Sequence, residues 1–482
     1  MSIATSFRIL GILLMLFSCA MLPSLAFSLI DSDSTTTGFL DGFLITLLGG
    51  FLLWAPCAKA RSELRIRDGF LVTSLFWIVL GIFGAAPFWL TPELNMTLTD
   101  AIFESISGLT TTGATVITGL DDLPRSILLY RQLLQWLGGI GIIVVAMAIL
   151  PMLGVGGMAL YRAETPGPSK DNKLTPRISG TALALFYVYI VLTLTCALAY
   201  YLAGMSAFDA FGHAFSTVAI GGFSTHDASM GYFKNDAILW ISSLFMLISA
   251  INFGLHFFAW KHKSLSGYYR DPETGFYLVC IFVSVSITCV YLLTTQTLTN
   301  NETLVHGVFQ AISMATTTGF TTTDFASWPT FLPVMLIFFS FIGGCVGSTG
   351  GGLKVMRVLL IFKQGLREMK QLVHPQAIIP LRVGGRRVDA SIISAVWSFF
   401  AVYVSAFLVI LLVLMATGLD YLTAFSAVAA MLNNLGPGLG EVASNYASVS
   451  DETKWILCFT MLLGRLEVFT LLVLLTPMFW RR

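Results

Sequence analysis

Apolar runs long enough to cross a bilayer recur in pairs along this chain. The leading members cover residues 70–90, 180–203, 275–295 and 391–416, and the trailing members cover 128–150, 237–260, 331–362 and 454–479. Two further runs, 9–30 and 37–55, precede the first pair. A helix needs about 20 apolar residues to traverse a hydrocarbon core of about 30 Å. The pattern therefore predicts ten full crossings. The first run follows Arg8 and contains a weak cleavage-like Ser24-Leu25-Ala26. It exceeds the roughly 7–15 residues of a signal peptide's apolar region, so a retained helix is expected.

Between the members of each pair lies a shorter stretch that closes on a glycine: Asp100 to Gly113, Asp209 to Gly222, His306 to Gly319 and Thr423 to Gly436. Thirteen positions separate the first residue from the glycine each time, and 109, 97 and 117 residues separate successive glycines. A unit of roughly a hundred residues thus recurs four times, a period too long for a solenoid. A helix of 13 residues is about 20 Å long, too short to span, so each stretch is predicted to enter and leave by one face. Asp100, Asp209 and Thr423 are N-cap residue types for its wet end. The negative end of each helix dipole then aims at the membrane midplane, a setting that favours cations.

Irregular backbone at that depth is tolerated only where it is buried in protein or lines water. Four loops around one axis can replace a cation's hydration shell with carbonyl oxygens. Glycine suits such a loop because it permits positive φ and keeps side chains out of the pore. The expected filter comprises Thr111, Thr112 and Gly113; Ile220, Gly221 and Gly222; Thr317, Thr318 and Gly319; and Asn434, Leu435 and Gly436. The competing reading makes these glycines ordinary packing residues of membrane helices. Their common register argues against it.

Composition agrees with a polytopic membrane protein: 56% of the 482 residues are apolar and 11% charged, against about 25% charged in soluble domains. Net charge is +1, but the signs are segregated. Segments 57–69, 157–179, 261–272 and 354–388 hold 4, 4, 3 and 8 lysines and arginines, and Arg481-Arg482 close the chain. The positive-inside rule makes these segments cytoplasmic. Asp121, Asp122, Asp227, Asp324, Glu441 and Asp451 then lie outside, with the four short stretches, and both termini lie inside. Seven cysteines, mostly in apolar spans, show neither disulfide nor metal-ligand spacing.

The fourfold helix–pore-helix–helix pattern, with its TTTGAT, AIGGFS, TTTGFT and NNLGPG loops, resembles the Trk/Ktr/HKT superfamily of cation transporters. Overall length and the two extra N-terminal spans look most like its bacterial TrkH-type members. The resemblance implies an all-α fold of four pseudo-repeats around a central pore. The expected boundaries are 1–58 for the two N-terminal helices, then 59–160, 161–263, 264–375 and 376–482 for the repeats. It further implies potassium uptake at a bacterial cytoplasmic membrane, a homodimer in lipid, and a cytosolic ring of nucleotide-binding regulatory subunits of TrkA type. The potassium ion is then cargo held at the filter; no organic cofactor in this chain and no nucleic-acid partner are implied. A serine at the first filter glycine accompanies sodium transport in some plant members. Gly113 here favours potassium, although the second and fourth loops depart from the threonine-rich pattern.

The trailing run of the third unit contains Gly343, Gly344, Cys345, Val346, Gly347, Ser348, Thr349, Gly350, Gly351 and Gly352. So many glycines cannot sustain a helix, each costing about 1 kcal/mol relative to alanine. The span is expected to break beneath the filter into a movable constriction that gates ion passage; a packing kink is the alternative. The stretch lacks the Gly-Lys-Ser/Thr ending of a phosphate-binding loop and lies in an apolar span, which excludes nucleotide binding. Arg465 lies well inside the last span with Glu467 two residues on. Intramembrane charges face partners or aqueous cavities. Arg465 is read as an electrostatic barrier below the filter and Glu467 as a supporting charge, roles that the matching positions of TrkH-like proteins also suggest.

Glu104, His213 and Gln310 share one position in the first three short helices and are expected to hydrogen-bond behind the filter, whereas Arg125 and Arg131 read as interfacial anchors. Without an HExxH motif, a catalytic carboxylate pair or a nucleophile with its base, the chain is not read as an enzyme. The alternatives are a potassium-binding pore subunit of an ATP-driven pump, a sodium-permeable transporter of the same superfamily, and an unrelated solute transporter. The last would show inverted repeats, whereas these units run parallel.

Overall fold

The computed structural model describes residues 3–60, 66–144 and 178–480. Arg61, Arg65, the end of the 128–150 span, most of segment 157–179, the boundary at 160 and Arg481-Arg482 lie outside the described residues.

The protein is an all-α polytopic membrane protein. Among the described residues, six helices are long and apolar enough to cross a membrane: Ile3–Asp31, Thr36–Cys57, Arg67–Leu90, Leu183–Leu202, Pro272–Thr295 and Ala390–Ala416. They coincide with the two N-terminal runs and the four leading spans. Ala390–Ala416 turns Leu408, Val409 and Leu412 outward, as a helix does when its neighbour is lipid. A hairpin of Arg382–Val383 and Arg386–Arg387 supplies the described β-structure.

The trailing spans differ from the sequence expectation. Hydropathy predicts continuous crossings for runs 237–260 and 454–479, yet both are broken. Asp236–Ser249 and Phe253–His262 meet at 93°, and Asp451–Arg465 and Phe469–Leu475 meet at 117°. The third trailing span breaks as expected, into Phe331–Ser340 and Val355–Val373. Breaking a helix inside a membrane frees backbone groups that must find partners. Here neighbouring breaks satisfy one another: Cys345 N donates to Ala250 O at 2.8 Å, and Phe253 N to Gly347 O at 3.0 Å.

The short helices are Leu98–Leu109, Ala207–Ala219, Val308–Ala315 and Tyr421–Leu432. Their N-caps lie one turn earlier than expected. Thr97 and Ser206 accept the amides of Asp100 and Asp209, and Asp420 accepts that of Thr423, so all three expected caps sit within the first turn. An N-cap needs extended backbone outside the helix, and those preceding residues supply it. The third helix reaches further back, to a capping box of Thr299 and Glu302, through a π-helical turn Thr303–Gly307 that contains His306. Ala101 to Leu109 are buried without interruption, as expected of a helix surrounded by other helices and not by lipid.

Candidate functional site

Each short helix ends in the same hydrogen-bonded cap. Two residues before the closing glycine, the chain enters the left-handed region: Thr111 at φ 51°, Ile220 at 54°, Thr317 at 67° and Asn434 at 52°. The next amide reaches back five residues: Thr112 to Ser107 O, Gly221 to Ser216 O, Thr318 to Ser313 O and Leu435 to Ala430 O. This is the Schellman arrangement, which glycine normally serves. Threonine and isoleucine are β-branched and strained there, at about 1–3 kcal/mol each. The closing glycines follow at φ 83°, 82°, 81° and 97°. Repeated left-handed turns bend the backbone away from the regular carbonyl direction of a helix. A left-handed residue repeated in one register at four sites, strained at three of them, points to function more than to folding convenience.

The four glycines form a closed circle. A Cβ built on Gly113 collides with the Gly221 carbonyl, one on Gly222 with that of Thr318, one on Gly319 with that of Leu435, and one on Gly436 with that of Thr112. The contacts run through the loops in sequence order and close from fourth to first. All four glycines also line one cavity of about 360 Å³, together with Thr115, Ser224, Thr321 and Pro437. Hydroxyls brace two loops internally: Thr110 to Thr112 at 2.7 Å and Thr316 to Thr318 at 2.8 Å.

Beneath the circle runs the glycine-rich segment 343–352. Thr349 Oγ1 donates to Val218 O at 2.9 Å, Gly351 N to Thr317 Oγ1 at 2.7 Å, and Gly352 N to Asn433 O at 3.1 Å. The segment thus touches the C-terminal ends of the second, third and fourth short helices. Close approach explains its composition, since a Cβ on Gly350 or Gly351 meets the Thr316 or Asn433 carbonyl. Gly343, Gly347 and Gly352 have φ of 69°, 74° and 74°. Gly344 and Ser348 Oγ are packed together, Ser348 Oγ donates to Cys345 O, and Cys345 is buried.

Arg465 supplies the contact to the first loop. Its guanidinium donates to Thr111 Oγ1 and, at 3.3 Å, to Thr349 O. It joins the circle to the segment beneath, while Nε has no hydrogen-bond partner among the described residues. Glu467 pairs elsewhere, with Arg357 at 2.7 Å. Arg465 and Glu467 take different partners. The helix ends at Arg465, and Glu467 lies in the bend at φ 53°.

Behind the loops, Glu104 accepts from Val116 N at 3.0 Å and Thr115 Oγ1 at 3.0 Å. His213 meets Ser224 Oγ at 2.8 Å. Both contacts bear out a bracing position. Gln310 does not follow them, because both its amide atoms are buried without a hydrogen-bond partner among the described residues.

Arg131 is not the interfacial anchor that the sequence suggests. It is buried, pairs with Glu104 at 2.8 Å, donates to Ser224 O at 2.9 Å and stacks over Phe223 at 4.2 Å. Arg125, paired with exposed Asp31, does sit at the surface. The sequence signal for Arg131 was its place in Arg131-Gln132-Leu133-Leu134-Gln135, three polar residues on one face of an apolar span. At the rim of the cavity above the glycines, His226 bridges Asp121 at 2.5 Å and Asp209 at 3.4 Å and stacks on Tyr232. Burial works against its protonated form, but the hydrogen bonds to Asp209 and Asp121 outweigh that and raise its pKa.

Residues 36–482 match the family described as TrkH, cation transport protein. The Trk system potassium uptake protein TrkH of Halomonas elongata is 55% identical over 482 residues, covering all of both chains. That of Escherichia coli K12 is 54% identical over 476 residues, 98% of each. The crystal structure of the potassium transporter TrkH from Vibrio parahaemolyticus superposes with a TM-score of 0.93 at 51% identity over the whole of both chains. With a matching profile, relatives aligned from end to end and a superposable fold, this chain belongs to the TrkH family of cation transport proteins.

Proposed function

We propose that this protein takes up potassium across the bacterial cytoplasmic membrane through one pore, with the four-glycine circle as filter and segment 343–352 as gate. The observation that carries this reading is the closed circle itself. Four identically capped loops pack glycine against carbonyl in cyclic order, with four helix C-termini behind them. Potassium is cargo here. Backbone carbonyls of Thr111, Thr112 and Gly113 and of their counterparts Ile220, Gly221, Gly222, Thr317, Thr318, Gly319, Asn434, Leu435 and Gly436 are the candidate ligands, since such rings replace a hydration shell.

Below them, Gly343, Gly344, Cys345, Gly347, Ser348, Thr349, Gly350, Gly351 and Gly352 obstruct the path, and Arg465 adds a positive charge that repels a cation. Gating then requires Thr349 and Arg465 to part, a rearrangement of few hydrogen bonds. Glu467 balances Arg357 at the inner end. The relatives are named as potassium uptake proteins of the Trk system, which supports the cargo. The system named there also favours a partner of TrkA type; the homodimer in lipid and the cytosolic nucleotide-binding ring remain what the family resemblance implies. Both termini lie in the cytoplasm, and the four units span 59–160, 161–263, 264–375 and 376–482 after the two helices of 1–58.

The purified protein in liposomes tests the proposal through reversal potentials under imposed potassium, sodium and pH gradients. Uptake by this route gives a potential that follows the potassium gradient. A potential that tracks sodium or protons alone would overturn it.

A further inference from the structure

The four loops of the circle are held in place by different means. In the first and third, threonines three and one residues before the glycine brace one another, Thr110 with Thr112 and Thr316 with Thr318. The second loop has Ala219 and Gly221 at those places and cannot form this brace. Its support comes from another unit. Gln135, on helix Arg125–Val144, accepts the Phe223 amide on Oε1 at 3.1 Å and donates from Nε2 to Gly221 O at 2.6 Å. The Phe223 N–H can only donate, which fixes the orientation of this amide. Gln135 is buried, and a Cβ on Gly221 would fall on its amide group. Gln135 therefore occupies the room that Thr112 and Thr318 fill in their own loops. Gln132 extends the support by donating to Phe223 O at 3.0 Å.

The carbonyl of Gly221 is also the one that abuts Gly113 in the neighbouring first loop. A side chain that holds this oxygen sets both its position and its share of lone-pair density for an ion. The fourth loop has a counterpart, Tyr446 Oη donating to Gly436 O at 2.9 Å. In the cyclic order these two externally held loops face each other, and the two threonine-braced loops face each other.

We infer that Gln135 is a specificity-determining positioning residue: it stands in for the missing threonine brace and sets the cation preference of the filter through the Gly221 carbonyl. The inference rests on the filter reading above. It goes further by assigning selectivity to a side chain outside the four loops.

The test measures potassium-over-sodium permeability ratios from reversal potentials in proteoliposomes. Gln135→Leu removes the hydrogen bonds to Gly221 O and Phe223 N and the one accepted from Ser216 Oγ; Gln135→Glu keeps the shape and the acceptor but cannot donate to Gly221 O. Each is expected to lower the ratio about tenfold, the effect of one lost hydrogen bond. Gln135→Ala combined with Ala219→Thr and Gly221→Thr rebuilds the brace inside the loop and is expected to restore the ratio. Folded Leu and Glu variants with the wild-type ratio would overturn the inference, as would lower thermal stability and flux at an unchanged ratio. A triple variant no better than the single ones also counts against it. Gly113→Ser, measured alongside, separates the two levels: if it too leaves the ratio unchanged, the filter reading itself falls.

Discussion

Gly113 has two constraints at once, a φ of 83° and a neighbouring carbonyl where a Cβ would go. Any side chain there must push the Gly221 carbonyl aside. Gly113→Ser is therefore expected to lower potassium preference over sodium about tenfold, on the scale of one distorted coordinating contact, as read from reversal potentials. Arg131 poses a different problem, that of a buried charge. Removing one partner of a buried ion pair leaves the other unpaired, at about 3–5 kcal/mol. Arg131→Met is expected to destabilise by about that much in thermal unfolding, and Arg131→Met with Glu104→Met to recover part of it. A single variant as stable as wild type would mean that Glu104 finds another partner. The glycines were legible in the sequence because their register repeats. The left-handed residues two places earlier were not, since threonine and isoleucine do not advertise positive φ.

At the level of elements, the broken trailing helices carry the argument. Shortening segment 343–352 removes its contacts with three short helices and is expected to raise basal flux in liposomes. Flux that stays level or falls in a folded variant would refute the gate. The break in the third unit could be read from its six glycines. Those near residues 251 and 466–468 could not, because nothing in their composition forbids a helix and the bends depend on partners in other units.

The loops around the cavity carry a pH-dependent contact in His226, which faces Asp121, Asp209, His213 and Tyr232, with Arg125 and Arg131 lining the adjoining cavities. Its raised pKa means that the protonated bridge is fully present below the ordinary histidine value of about 6.5 and is lost as pH rises through the elevated value. Thermal stability should fall over that window, and His226→Gln should flatten the fall. An unchanged pH profile would remove the bridge from the account.

Across the whole molecule, sign segregation predicts that residues 261–270 face the cytoplasm and the cavity above the glycines faces outward. With the native cysteines replaced, Ser444→Cys, in the cavity wall, is expected to react with an impermeant maleimide in intact cells. Ser264→Cys should react only after permeabilisation. The opposite pattern would invert the topology and turn the filter to the inside.

Hydropathy, charge bias and the fourfold glycine register determined the class, the crossing count of the leading helices, the expected orientation and the candidate filter, because each follows from what a bilayer permits a single segment to do. The order of the circle, the cross-unit support by Arg131 and Gln135, the bends in the second and fourth units and the union of Arg465 with Thr111 and Thr349 were decided only in three dimensions. Each of these joins residues tens to hundreds of positions apart, and the partner that satisfies a freed carbonyl or buried charge is chosen by packing.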